Sequence, residues 1–387
     1  MSKLFMLITS LEGGGAQRVV SLLSMNLNHD IEREVILLSS NNIAYPTIFP
    51  PVSLDVITPN GNRSIICYTK YLIVGLFRYK RLIKNYNPDC SISFLVLDNF
   101  INILSSFKNN KIKTVISAHI ALSMKFQGSL TGKLCNNIIK LLYNRSDIII
   151  AVSEGVKQEL IDQYDISKDK ISVMYNPVDR NNIQRLSLET IEDEPWFNED
   201  IPIIITVGRL AKQKGHWHLI RAFRKVVNES KCRLLIRGDG ELKQYLEKLI
   251  QELDMGNYIK ILGWKTNPYK YMSRSHIYVS PSLWEALPYV LIEAMTCGCP
   301  IISTDCKYGP SEILNNGEYG ILIPPPDGLF YNFDAPLTIE EEAMANSILD
   351  LLNDPFLREY YSNKSKLRSK DFDLDESLKK YETLITS

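Results

Sequence analysis

Two doubly wound α/β domains in tandem are the fold this sequence predicts, and three observations carry that expectation. A strand, a glycine turn and an amphipathic helix open the chain. Short β-type runs and helical stretches then alternate to about residue 176, and after an acid-rich interval the alternation restarts at residue 201. A length of 387 residues with 45% hydrophobic side chains suits about two compact cores, which excludes disorder, collagen and coiled coil.

The elements follow in order. Leu4 to Thr9 form an apolar, β-type run, Gly13-Gly14-Gly15 breaks it, and Val19, Val20, Leu22, Leu23 and Leu27 recur at helical spacing. Further β-type runs fall at 34–38, 90–94, 113–117, 147–152 and 170–175. Residues 179–202 hold many acids and Pro195 without sustained periodicity, so a linker is expected there. Beyond it, strands are predicted at 201–207, 233–236, 259–262, 277–280 and 301–303, with helices at 216–227, 241–253 and 289–297. A last amphipathic helix at 378–385 follows Asp371, Asp373, Asp375 and Glu376. Those acids read as helix caps, with a metal-binding DxD as the alternative.

Charge is balanced overall, with 44 basic and 44 acidic side chains, so nucleic-acid binding through bulk charge is not suggested. The halves differ. Residues 1–180 carry 20 cations and 14 acids, which leaves 24 and 30 for the rest. Residues 99–146 contain no carboxylate yet hold Lys108, Lys111, Lys113, Lys125, Lys133, Lys140 and Arg145, and 63–84 is likewise acid-free. Both stretches mix cations with Ile, Leu, Phe and Tyr, as a surface resting on anionic lipid would, although a solvated face has the same composition. Seven cysteines without a CxxC pair argue against a disulfide framework or structural zinc, so a reducing cytosol is expected. Residues 1–11 lack signal-peptide features, and no apolar run approaches the roughly 20 residues that span a bilayer.

Three segments carry chemistry. In Gly13-Gly14-Gly15-Ala16-Gln17-Arg18, Gly14 and Gly15 allow close backbone approach at a helix N-terminus, which favours an anion such as phosphate; a merely tight turn is the alternative. Arg18 stands where GxGxxG needs its third glycine, and no acidic ribose reader ends the second strand, which disfavours a nicotinamide enzyme. In Gly208-Arg209-Leu210-Ala211-Lys212-Gln213-Lys214-Gly215, a glycine leaves a buried strand and is followed by cations; Arg209 and Lys214 suit a pyrophosphate. In the third segment, Glu285 and Glu293 flank Leu287, Pro288, Tyr289 and Val290. If Tyr289 begins a helix, the amides near Pro288 to Val290 face a phosphate while the two acids accept hydroxyls from sugars.

The E-x7-E spacing of Glu285 and Glu293, Gly208-Arg209 ahead of Lys214, Gly238-Asp239-Gly240-Glu241 and the Gly13 to Arg18 turn together resemble the retaining family 4 glycosyltransferases (glycosyl transferases group 1). The resemblance implies a GT-B fold, two Rossmann-like domains facing a cleft. An acceptor-binding domain would span 1–178, with a helix at about 370–387 packing back onto it, and a nucleotide-sugar domain 179–369. Arg209 and Lys214 would neutralise the donor diphosphate, Glu293 would accept from the ribose and Glu285 would contact the donor sugar. The backbone around Trp264 would lie by the base, His119 would approach the donor sugar, and Gly14 and Gly15 would face the diphosphate. Ala286 and Ile120 depart from the family pattern, where Gly and a polar residue are common.

The implied reaction moves a hexosyl or N-acetylhexosaminyl group from a nucleotide-sugar, UDP-linked by expectation, to a lipid-linked cell-surface glycan such as lipopolysaccharide, O-antigen or capsule. No cofactor and no metal are expected. The partners would be donor, glycan acceptor and an anionic membrane, and the location peripheral at the inner face of the cytoplasmic membrane. A non-catalytic sugar-nucleotide or glycan-binding subunit and a sugar-nucleotide epimerase of the same fold are the alternatives.

Overall fold

The computed structural model describes residues 2–40, 43–56, 65–107, 111–125 and 130–387. Of the basic stretches, Arg63 and Lys108, with the side chains of Lys125 and Lys133, lie outside this description. The chain divides into two compact units, Met1–Pro177 with Leu374–Ser387, and Val178–Asp373.

In the first unit, among the described residues, β1 (Ser2–Ile8), β2 (Ile31–Leu37), β3 (Val52–Ser53), β4 (Cys90–Ser93), β5 (Lys113–Ala118), β6 (Ile148–Ala151) and β7 (Ile171–Val173) form one parallel sheet in the order 3-2-1-4-5-6-7. Leu4 to Ile8 are fully buried because β1 lies inside the sheet with helices on its faces. Around it are α1 (Gly15–Asn26), α2 (Ile65–Tyr86) and α3 (Val96–Ser106). Helix α3 buries Asp98, Asn99 and Asn102. Asp98 accepts from Thr9 N and Oγ1 at 2.9 and 2.7 Å, Asn99 donates to Ser117 O at 3.1 Å, and Asn102 donates to Val115 O at 2.9 Å. These bonds tie α3 to β5 and to the residue that follows β1, and so fix the loops beyond them.

The second unit repeats the plan with β8 (Ile203–Val207), β9 (Arg233–Arg237), β10 (Ile259–Gly263), β11 (Ile277–Ser280), β12 (Ile301–Thr304) and β13 (Ile321–Ile323), ordered 10-9-8-11-12-13 among the described residues. Its core gathers Ile204, Ile220, Phe223, Leu234, Val279, Ile302 and Ile348. In each sheet the chain leaves the first strand to one side and later returns to pair on the other, at β1 and β4 and again at β8 and β11. At such a switch point the loops after the two adjacent strands part and leave a ligand crevice.

The expected linker is in part a helix, α4 (Arg180–Ser187), started by Asp179, whose side chain accepts from Asn182 N at 2.9 Å. Periodicity missed it because Ile183 is its one buried residue. Farther on come α5 (His216–Glu229), α6 (Tyr289–Thr296) and α7 (Ile339–Asn353), and α8 (Leu374–Thr386) then belongs to the first unit. There Lys113 Nζ donates to Leu384 O at 2.7 Å. Asp371 pairs with Arg368 at 2.8 Å and Asp373 lies 3.9 Å from Arg180. Among the described residues no cluster of His, Cys, Asp and Glu has metal-site geometry. No described helix is long and apolar enough to cross a membrane.

Candidate active site

In the second unit the site grows from the loops after β8 and β11, the two strands at its switch point. Gly208 N donates to Arg237 O at 3.0 Å, and Leu210 N donates to Asp239 O at 2.8 Å, so this loop is stitched to the one after β9. A Cβ on Gly238 would lie 1.8 Å from Gly208 O, which explains the glycine of the Gly238-Asp239-Gly240 run. Gly215 has φ +59°, and its Cβ would meet Pro281 O at 2.2 Å. Only glycine lets the loop after β8 press against the loop after β11 in this way.

That contact brings Lys214 to Glu285. Glu285 is buried at 6% exposure; its Oε1 lies 2.5 Å from Lys214 Nζ and accepts from Ser282 Oγ at 2.8 Å. Oε2 accepts from Gln213 Nε2 at 3.2 Å, and the same amide donates to Trp284 O at 3.0 Å. Three donors on a carboxylate with about four lone-pair positions leave room for about one more, on Oε2. The Lys214 methylenes lie 3.5 Å from where a Gly208 Cβ would be, in ordinary contact. Arg209 is exposed, and its side chain has no partner among the described residues.

The expected helix does begin at Tyr289, so Glu285 precedes it and Glu293 sits just over one turn inside. Pro288 is its N-cap, without a capping side chain or a first-turn acid, and Leu287 is buried beside it. The first-turn amides of Tyr289 and Val290 lie outside the helix's own ladder and carry its positive end. Gly309 supports this segment from behind, since a Cβ there would lie 2.6 Å from Pro288 Cδ and 3.0 Å from Ala286 O. Glu293, buried at 6% exposure, accepts from Tyr269 Oη at 3.0 Å. Trp264 follows β10 at 58% exposure, with the Arg237 guanidinium 4.2 Å from its ring centroid.

Gly14, Gly15 and His119 belong to the first unit. Gly14 is the N-cap of α1, with φ +147°, and both glycines are exposed. His119 follows β5; its Nε2 lies 2.9 Å from Ser117 Oγ and its ring 5.8 Å from that of Phe94. Burial pushes its pKa down to about 3, so the imidazole is neutral near pH 7. Buried Glu159 accepts from Leu122 N at 2.9 Å and Ser123 N at 3.1 Å, which fixes the chain just after Ile120.

Sequence reasoning thus placed Gly208, Arg209, Lys214 and Glu285 in adjoining loops, and missed Gln213, Ser282, Tyr269 and Gly309. Gln213 and Ser282 stood inside quoted segments as the amide and hydroxyl nearest the ions. Tyr269 gave no signal, because its bond to Glu293 spans 24 residues.

Residues 13–182 match the family described as Glycosyltransferase Family 4, and residues 188–368 the one described as Glycosyl transferases group 1. Over 374 residues, 96% of each chain, the sequence is 32% identical to the N-acetylgalactosamine-N,N'-diacetylbacillosaminyl-diphospho-undecaprenol 4-alpha-N-acetylgalactosaminyltransferase of Campylobacter jejuni. This chain belongs to glycosyltransferase family 4. The new family member is also 26% identical to the amylovoran biosynthesis glycosyltransferase AmsD of Erwinia amylovora, over 82% of this chain and 85% of that one. Its fold is that of Anabaena Alr3699/HepE, solved in complex with UDP, with a TM-score of 0.75 at 20% identity and all of both chains covered. The glycosyltransferase therefore has the two-domain, Rossmann-like GT-B architecture, and it is a glycan-building transferase.

Proposed function

We propose that this glycosyltransferase moves a hexosyl or N-acetylhexosaminyl group from a UDP-sugar, with retention and without a metal, to a growing lipid-linked cell-surface glycan at the inner face of the cytoplasmic membrane. The observation that carries the reading is the ion pair between half-buried Lys214 and buried Glu285 at the β8/β11 switch point, with Arg209, exposed and without a side-chain partner among the described residues, in the same loop as Lys214. The Campylobacter relative, whose name includes diphospho-undecaprenol, supports a lipid-linked acceptor, and the UDP complex of the Anabaena protein supports the donor.

When the glycosyl bond breaks, negative charge collects on the leaving diphosphate. Lys214, held by Glu285, and the first-turn amides of α6 offset that charge as preorganised donors, and Arg209 adds a further cation. Glu293, oriented by Tyr269, accepts from the ribose, and the remaining position on Glu285 Oε2 accepts from the sugar. Trp264 lies by the base. Neutral His119 serves the sugar as a hydrogen-bonding group rather than as a proton reservoir, and Gly14 and Gly15 let the α1 N-terminus approach the diphosphate. In front-face retention the departing phosphate takes the acceptor's proton.

Arg209 is exposed, so Arg209→Ala keeps the melting temperature while turnover falls about 100-fold or more. Wild-type turnover in that variant overturns the assignment. NMR of the product anomer reads the stereochemistry, and inversion refutes retention. EDTA leaves the rate unchanged, whereas a loss restored by added magnesium refutes metal independence.

A further inference from the structure

Helix α2 has two faces. Tyr71, Gly75, Tyr79 and Ile83, four residues apart, turn inward and are buried, and a Cβ on Gly75 would lie 2.7 Å from Ile101 Cδ1. The helix is therefore seated close and its rotation is set. Facing away are Lys70, Ile73, Phe77, Lys80, Arg81 and Lys84, all exposed, with Phe77 at 69% and Ile73 at 47%. Steps of three and four residues make these one stripe about 21 Å long. No residue of Ile65–Tyr86 is acidic. Arg78 is committed elsewhere, donating to Leu54 O and Asp55 O.

We propose that this outward stripe of α2 docks the enzyme on an anionic lipid surface. The inference rests on the membrane-side acceptor proposed above and assigns the docking to one element. Cations at both ends of the stripe meet lipid phosphates while Ile73 and Phe77, one turn apart, enter the apolar boundary. A second copy of the chain fits this face poorly, because a two-fold contact would set cations against cations. A polyphosphate chain would leave the two large apolar side chains in water.

The test is sedimentation of the full chain with vesicles of phosphatidylcholine alone or with about one third phosphatidylglycerol. Wild-type protein binds the anionic vesicles and is released by high salt. Lys80→Gln with Arg81→Gln weakens binding about 25-fold, at about fivefold per cation, and Phe77→Ser weakens it by the same factor at low and at intermediate salt. Lys248→Gln, in the second unit, changes nothing. Equal binding to neutral and anionic vesicles overturns the proposal, as do stripe variants that bind like wild type, or a wild-type dimer that Phe77→Ser dissociates. A UDP-induced thermal shift is read in parallel: its retention shows that the variants are folded, and its absence in wild type refutes the UDP-donor reading while the vesicle result still decides the stripe.

Discussion

Glu285 shows how little freedom a buried acid keeps. Lys214, Ser282 and Gln213 fill all but about one of its acceptor positions, so the carboxylate is aimed before any ligand arrives. Gln213→Ala strips a donor from Oε2 and from Trp284 O together, and should cost about 1–3 kcal/mol in urea unfolding. Tyr269→Phe removes a donor to Glu293; with Glu293 holding the ribose, steady-state kinetics will show KM for the donor rising more than kcat falls. His216, 2% exposed, supplies a pH test. Its pKa is pushed from 6.5 down to about 3, first by burial and then by the nearby Lys214. As pH falls from 6.5 the unfolded chain takes up a proton that the folded chain refuses until about pH 3, so stability declines through that window. His216→Leu should flatten the slope of melting temperature against pH between those limits.

At the scale of elements, the glycines of the loops after β8 and β9 do different work. A methyl on Gly238 would strike backbone, and one on Gly208 only the flexible stem of Lys214. Gly238→Ala should therefore lose at least about 2 kcal/mol, while Gly208→Ala stays within about 0.5 kcal/mol of wild type, both read by urea unfolding. Most strands were legible because they are short buried runs, as in Ile203–Val207, whereas β3 and β13, two and three residues long and only partly buried, were not read. Helix α4 was not, for it buries a single residue and owes its start to Asp179. Helix α7 was legible and overlooked: Thr338 and Glu341 stand at capping-box spacing, and both reciprocal bonds form.

Across the molecule, buried charge sits where distant segments meet. Glu341 has no exposure, accepts from Arg221 Nε at 2.9 Å and lies 2.8 Å from His218 Nδ1, so α5, α7 and the chain that Arg221 holds at Asn332, Ala335 and Pro336 close on one carboxylate. Glu341→Ala should cost about 3–5 kcal/mol by calorimetry, because it leaves the Arg221 charge buried without its partner. The excess of cations in residues 1–180 has a partial explanation in α2, whose inner face is core and whose outer face is basic.

Alternating apolar periods by themselves determined that this protein is two parallel α/β units, since a strand buried on both sides and a helix buried on one leave different spacings in any sequence. They also placed the glycines, Arg209, Lys214, Glu285 and Glu293 next to strand or helix ends. Only the tertiary structure decided the strand order that sets β8 beside β11 and the donors that aim each acid. Periodicity records which face of an element is buried; what it is buried against depends on how distant segments pair, and a bond spanning 24 residues leaves no local trace.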